Sequence, residues 1–115
     1  RVAELEPAAA LLAHALDLDA TNVTAQYRLG LIAMLNRDYE TAVAHLEIAH
    51  QRDPNHRGIT KNLGYSYIWL GDLAQARTLL ANICEVEQEM GVYVWWWRQQ
   101  GRPDLSGRAA QMREP

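Results

Sequence analysis

Residues 27–30 read Tyr-Arg-Leu-Gly and residues 61–64 read Lys-Asn-Leu-Gly, so the pair Leu29-Gly30 returns as Leu63-Gly64 after thirty-four residues. One recurrence is weak evidence. The same step, however, carries Ala42 to Ala76 and back to Ala8, and Leu46 to Leu80 and back to Leu12. It also carries Asp38 to Asp72 and Asp19 to Asp53. Several independent columns on one period mark a repeat architecture, in which each unit buries its apolar face against its neighbours.

Inside each unit the apolar spacing is helical. Tyr27, Leu29, Gly30, Ala33 and Met34 fall on one helix, Asn36-Arg37-Asp38 breaks it, and Tyr39, Ala42, Val43, Leu46 and Ala49 begin the next. Asp53-Pro54-Asn55 closes that helix, because proline disfavours helix at the residue before it. The second unit repeats the plan. Leu63, Gly64, Tyr67 and Ile68 lie on a helix, Gly71-Asp72 make a turn, and Leu73, Ala76, Leu79, Leu80 and Ile83 lie on the partner. Asp38 and Asp72 stand where an N-cap carboxylate accepts free first-turn amides, and Gly71 where a left-handed residue ends a helix.

With these residues in place the chain resembles the tetratricopeptide repeat family. The family pattern of Leu-Gly, Tyr, Ala, a large apolar residue and Pro is met by Leu29-Gly30, Ala42, Leu46 and Pro54 in the first unit. Leu63-Gly64, Tyr67, Ala76 and Leu80 meet it in the second. Gln26 and Thr60 replace the tryptophan, Ala33 the first tyrosine, and Gln88 the second proline. Gly30 and Gly64 are expected to let their helix approach the small Ala42 and Ala76. The implied fold is all-α, a right-handed solenoid of antiparallel helix pairs with about seven helices.

The same period assigns residues 1–22 to the second helix of a truncated repeat, with Ala8, Leu12 and Ala15 in core columns. Residues 23–56 and 57–90 form two repeats, and 91–115 a degenerate capping unit. A start half-way through a repeat, at a residue other than methionine, leads us to expect a piece of a longer protein. In the last unit three tryptophans follow one another, Trp95-Trp96-Trp97. Successive helical side chains point about 100° apart, so one buried face does not hold all three. The thirty-four-residue step puts Trp97 in the column of Leu29 and Leu63, hence in the core, and Ala110 in that of Ala76.

Composition sets limits on function. The 115 residues are 49% apolar and 22% charged, with a net charge of −3, which gives no electrostatic reason to expect nucleic acid. Arg98, Arg102, Arg108 and Arg113 read as a solvated terminal face. A single cysteine excludes an intrachain disulfide and suits a reducing compartment, so a cytoplasmic location is expected. No apolar run nears the roughly 20 residues a membrane span requires.

No catalytic or metal constellation emerges. His45 shares a column with Leu11 and Leu79, and His50 with Leu16 and Cys84, which makes all of them packing positions. A zinc site needs convergent Cys and His at recognisable spacing, which one cysteine does not provide. Glu85, Glu87 and Glu89 read as a solvated acidic run ahead of the last unit. The expectation is a protein that is not an enzyme and carries no cofactor.

Binding remains. In the family that the chain resembles, the first helix of each unit lines an extended groove. Carried over residue by residue, the lining positions are Tyr27, Arg28 and Leu31, with Leu35, from the first unit. Lys61, Asn62, Tyr65 and Trp69 come from the second, and Trp95 and Trp96 from the third. Some members clamp a C-terminal carboxylate with lysines and asparagines over three units, but Leu31, Tyr27 and the tryptophans stand where those residues are needed. The expected role is therefore a scaffold that holds a peptide or protein segment in an aromatic groove. The alternative is a structural or regulatory repeat tail of a larger protein, which uses its terminal helices for docking or self-association.

Overall fold

The computed structural model describes the backbone of residues 2–115 and the side chains from residue 6 onward. Among the described residues there are seven helices and no strand. They are α1 (Val2–Leu18), α2 (Val23–Leu35), α3 (Tyr39–Arg52), α4 (Arg57–Leu70), α5 (Leu73–Leu80), α6 (Val86–Gln99) and α7 (Pro103–Met112). Consecutive helices α1 to α5 pack on one another, and α6 packs on α7. The body measures 43 × 31 × 19 Å, a slab two helices thick given a helix diameter of about 10 Å.

Local chemistry explains where these helices start and stop. Asp38 and Asp72 accept the amides of Thr41 and Gln75, each at 3.2 Å, which satisfies donors the first turn leaves free. Asn22 does the same for Ala25 at 3.0 Å, and His56 for Ile59 through Nδ1 at 3.1 Å. Three turns pass through the left-handed region: Arg37 (φ 59°), Gly71 (φ 90°) and Gly101 (φ 71°). In each, the next amide closes a bond to an oxygen near the helix end: Asp38 to Ala33, Asp72 to Tyr67 and Arg102 to Trp97.

Gly30 and Gly64 do permit a close approach, but the partner differs from the expected alanine. A Cβ at Gly30 would lie 2.6 Å from Leu46 Cγ, and one at Gly64 2.5 Å from Leu80 Cγ. Ala42 and Ala76 are fully buried one turn earlier on the same helices. Two core clusters result. The smaller joins Ala33, Ala42, Leu46 and Leu63; the larger runs from Tyr65, Ile68 and Trp69 through Leu80 and Met90 to Trp97, Leu105 and Ala109.

The last helix pair departs from the period. α3 has 14 residues and α5 only 8. Ile83 leaves the helix through a tight turn, its amide bonding Leu80 O at 3.0 Å, yet it stays buried. As a result α6 starts at Val86, ahead of the Gly91 that a step of thirty-four marks, and so runs across the 90/91 boundary. Judged by the closing bonds, Gly101 and Arg102 repeat Gly71 and Asp72 after thirty residues, and Trp97 takes the place of Tyr67, not Leu63. Trp97 is still core, at 1% exposure.

Several column assignments are corrected by this shift. Ala109 is buried and Ala110 exposed. Cys84 is exposed, because the turn lifts it out of the packing column. Ala8 is exposed, with Leu12 and Ala15 half-buried, since only one face of α1 is covered, by α2. The pairing of helices also changes: α3 packs along α4, whereas it is α7 that packs on both α4 and α5. Arg108, from the supposedly solvated arginine group, is half-buried and donates to Trp69 O, while Arg77 donates to Gln111 O at 2.8 Å.

Candidate partner-binding groove

Helices α2, α4 and α6 are the first members of their pairs, and their side chains bound a groove made of two adjoining cavities. One, of about 450 Å³, is lined by Met34, Lys61, Asn62, Tyr65, Glu89, Val92 and Tyr93. The other, of about 590 Å³, shares Met34, Asn62 and Tyr93 and continues over Leu31, Leu35, Arg37, Tyr39, Trp69, Trp96 and Trp97. Both volumes lie within the roughly 300–1,000 Å³ of small-ligand pockets.

Tyr93 ties the aromatic floor together. Its ring meets Tyr65, Trp69 and Trp96 edge-on, with centroids 6.0, 5.1 and 6.2 Å away. Trp97 meets Trp69 at 5.3 Å and Trp96 at 4.7 Å in the same T-shaped manner. Edge-to-face pairs of this kind each add about 0.5–1.5 kcal/mol beyond their burial. Burial also pushes the Tyr93 hydroxyl above its ordinary pKa, and that of Tyr39 up to about 12, so both stay neutral donors.

The two ends of the groove differ in charge. At the first end α4 and α6 are tied by ion pairs. Arg57 donates to both Glu85 oxygens, with Nη1 to Oε2 at 2.7 Å. Lys61 Nζ lies 2.8 Å from Glu89 and 3.3 Å from Glu85, and the Tyr65 hydroxyl donates to Glu89 at 2.6 Å. The Arg57 guanidinium holds the Glu85 carboxyl down at about 2. Burial, and then the bond to Glu89, push Tyr65 well above the ordinary tyrosine range. Every charge at this end has a partner.

At the other end stands Arg37, a non-glycine residue in the left-handed region. Its guanidinium carbon lies 5.2 Å from the Trp97 ring centroid and 5.5 Å from that of Trp96, within the range of a cation–π contact. Nη2 donates to Gln100 Oε1 at 3.0 Å, a neutral acceptor.

The residues expected from the sequence separate accordingly. Leu31, Lys61, Asn62, Tyr65, Trp69 and Trp96 line the groove. Tyr65 and Trp69 are buried to 4% exposure, so only a small part of each ring reaches the groove surface. Lys61 is committed to Glu85 and Glu89, and the Asn62 amide to Gly58 O at 2.8 Å and Tyr27 OH at 3.3 Å. Tyr27 therefore supports Asn62 from outside the two cavities, its ring edge-on to His56. Arg28 lies over a separate apolar depression between α1 and α2, with Ala8, Leu11, Leu12, Leu31 and Ile32. Trp95 is 60% exposed beside Val92 and lines neither cavity, because one helical step turns it away from Trp96.

Met34, Arg37, Tyr39 and Tyr93 escaped the sequence reading, as did the role of Glu85 and Glu89. The acidic run is not solvated as a whole: two of its three members neutralise Arg57 and Lys61. Met34 was legible as an apolar residue on the helix that supplies Leu31. Arg37 carried no signal beyond standing one residue before the Asp38 cap.

The histidines do not converge. Gln26 Nε2 donates to Ala20 O at 2.8 Å, so its Oε1 is the acceptor 2.7 Å from His45 Nδ1 and the proton sits on Nδ1. This chain ties the α1–α2 loop to α3, and burial holds His45 below its ordinary pKa. Among the described residues no group of three or more His, Cys, Asp or Glu side chains is placed to hold a metal ion. No described helix is long and apolar enough to cross a membrane.

No curated protein matches the chain. A family model described as tetratricopeptide repeat matches residues 33–89, from the end of α2 into α6. That span holds Ala42, Leu46, Leu63-Gly64, Tyr67, Ala76 and Leu80, the columns on which the period stands. With α1 followed by the packed pairs α2–α3, α4–α5 and α6–α7 over the described residues, this match supports assignment to the tetratricopeptide repeat family.

Proposed function

We propose that this protein is a scaffold that holds a segment of a partner protein in the groove across α2, α4 and α6. Repeats of this family serve as protein–protein interaction modules. The observation that carries the finer reading is the continuity of the two cavities through Met34, Asn62 and Tyr93. It makes one aromatic trough, with rings available for the large, stiff contacts that anchor interfaces. Leu35, 72% exposed, supplies apolar surface at the trough's edge.

The test is a dodecapeptide display library sorted on the folded chain, followed by titration of the best binder. Leu35→Ser is expected to weaken that binder about tenfold, since an apolar anchor contributes on the order of 1–2 kcal/mol. Leu18→Ser, which changes an equally exposed leucine on α1, leaves it unchanged. Equal effects of the two substitutions, or none, count against the groove.

A second reading rests on a different observation. Leu11 and Leu18 on α1, and Val92 and Trp95 on α6, are apolar side chains more than half exposed at the two ends of the array. Docking of these ends onto further repeats or a second copy is the competing role. A light-scattering mass that stays monomeric with rising concentration removes self-association, and one that rises supports it.

A further inference from the structure

We propose that the groove's partner is an acidic segment, in which a carboxylate pairs with Arg37 beside an apolar side chain seated against Tyr39, Tyr93 and Trp96. This inference rests on the groove reading above and adds the chemistry of what the groove selects.

The groove has two lining cations, and they are not equivalent. Lys61 is neutralised by two carboxylates, at 2.8 and 3.3 Å. Arg37, among the described residues, has a single polar partner, the neutral amide oxygen of Gln100. A guanidinium carries five N–H donors in a planar fork, so most of Arg37's remain for an acceptor. Bidentate pairing with a carboxylate is the match for that fork.

A second observation points to the same shortage of acceptors. Trp97 lines this cavity, and its indole N–H is buried with no hydrogen-bond partner. A buried donor left unpaired is costly, and such groups are uncommon in native structures. Tyr39, neutral because burial pushes it up to about 12, brings one more hydroxyl to the same cavity. Arg102 also faces Tyr39 but is bound to Asp104 at 3.0 Å. The Trp97 N–H is itself buried, so Arg37 and Tyr39 are the donors that this end of the groove presents to a ligand.

The placement also fits a side-chain-sized subsite. Arg37 is held by its contacts with Trp96, Trp97 and Gln100, so its charge is fixed at the rim before a ligand arrives. The aromatic surface beside it takes the neighbouring apolar residue. The rival chemistry is a partner's arginine or lysine over the same rings, which would have to displace Arg37 against like charge.

The experiment uses the peptides selected on the intact chain. The pool is expected to be enriched in Asp or Glu next to an apolar residue. The best binder is made with acetyl and amide ends, alongside a version with its acid changed to the amide. Neutralising the acid is expected to weaken binding about ten- to a hundredfold, the range of a charged hydrogen bond. Arg37→Gln weakens the acidic peptide by a similar factor and leaves the neutral one unchanged, while Leu35→Ser weakens both. A pool rich in Lys and Arg overturns the acidic proposal and leaves the groove standing. So does an Arg37→Gln variant that binds the acidic peptide as tightly as the natural chain. If no binder is selected, or Leu35→Ser changes nothing, the groove reading falls and this inference falls with it.

Discussion

In α2–α3 and α4–α5 the first helix presents a glycine to a leucine of the second, Gly30 to Leu46 and Gly64 to Leu80. Counted from the closing bonds, α6 brings Val94 to that height and α7 brings Ser106 to the place of Ala76. Here the joint is a hydrogen bond, Ser106 Oγ donating to Val94 O at 2.7 Å, and the apolar packing has moved to Trp97, Leu105 and Ala109. This pair also folds its second helix back onto α4 and α5, which neither inner pair does. The inner pairs are therefore defined by what is small, and the outer pair by what is large.

That contrast ranks the effects of substitution. Trp97→Ala should be the most damaging change, costing about 3–5 kcal/mol, as for other fully buried aromatics. Trp97 is 1% exposed and joins α6 to Trp69 of α4, so its loss should release the last pair from the array. Chemical denaturation of the variant is expected to become biphasic or to shift by that amount. A cost under about 1 kcal/mol would show that the outer pair does not depend on its tryptophan.

Gly64→Ala comes next. Its Cβ would stand 2.5 Å from Leu80 Cγ and 2.6 Å from Cδ2, so a buried leucine has to move. Overpacking of that kind costs about 1–3 kcal/mol, offset by the roughly 1 kcal/mol that alanine gains over glycine in a helix. A net loss of up to about 2 kcal/mol is expected. Leu80→Ala alone costs about 2–5 kcal/mol by leaving a cavity. The double variant should lose less than the sum, because the new methyl enters the space Leu80 leaves. Strict additivity would mean that Gly64 and Leu80 are not one joint.

How much of this the sequence discloses follows from the same comparison. The inner pairs are legible because their constraints are local. A glycine where helices touch, an alanine beside it and an aspartate cap recur at a fixed step, and the structure puts Asp38, Asp72 and Gly71 in those roles. The outer pair is legible only in outline. Extending the period assumes that α5 is as long as α3, but Ile83 is buried outside the helix and α5 stops at Leu80. Gly101-Arg102 already mirrored Gly71-Asp72 at a shorter step, a signal that outweighs the alanine column. The groove was half legible. Leu31, Lys61, Asn62, Tyr65, Trp69 and Trp96 follow from the repeat, whereas Tyr93 and the pairing of Glu85 and Glu89 depend on how α6 turns.

Arg37→Gly sharpens the comparison of turns, since Gly71 and Gly101 hold the same conformation. A left-handed non-glycine residue costs roughly 1–2 kcal/mol, and glycine removes that strain while adding freedom to the unfolded chain. The variant also loses the contacts to Trp96 and Trp97, at about 0.5–1 kcal/mol for an exposed cation–π pair. The net change should lie within about 1 kcal/mol of zero. A larger loss would mean that Arg37, like Trp97, holds the outer pair in place.

The smallest effect belongs to the ion pairs between α4 and α6, and its sign is fixed by the direction of the shift. Glu85 is held at about 2 by Arg57, below the ordinary carboxylate value of 4.5. Its contribution is therefore complete above about pH 4.5, where both folded and unfolded chains are ionised. As the pH falls, the unfolded chain binds a proton first, and the contribution is gone once the folded carboxyl titrates near pH 2. Glu89 is shifted the same way: burial opposes its ionisation, but Lys61 and Tyr65 outweigh burial. Melting curves of the natural chain and Glu85→Gln, taken from pH 7 to pH 2, should differ at neutral pH and converge at the acid end. High salt should narrow the neutral difference, because the pair is solvent-exposed and screened. Parallel curves at every pH would place the α4–α6 contact wholly in the rings of Tyr65, Trp69 and Tyr93, and leave the charged end of the groove as rim.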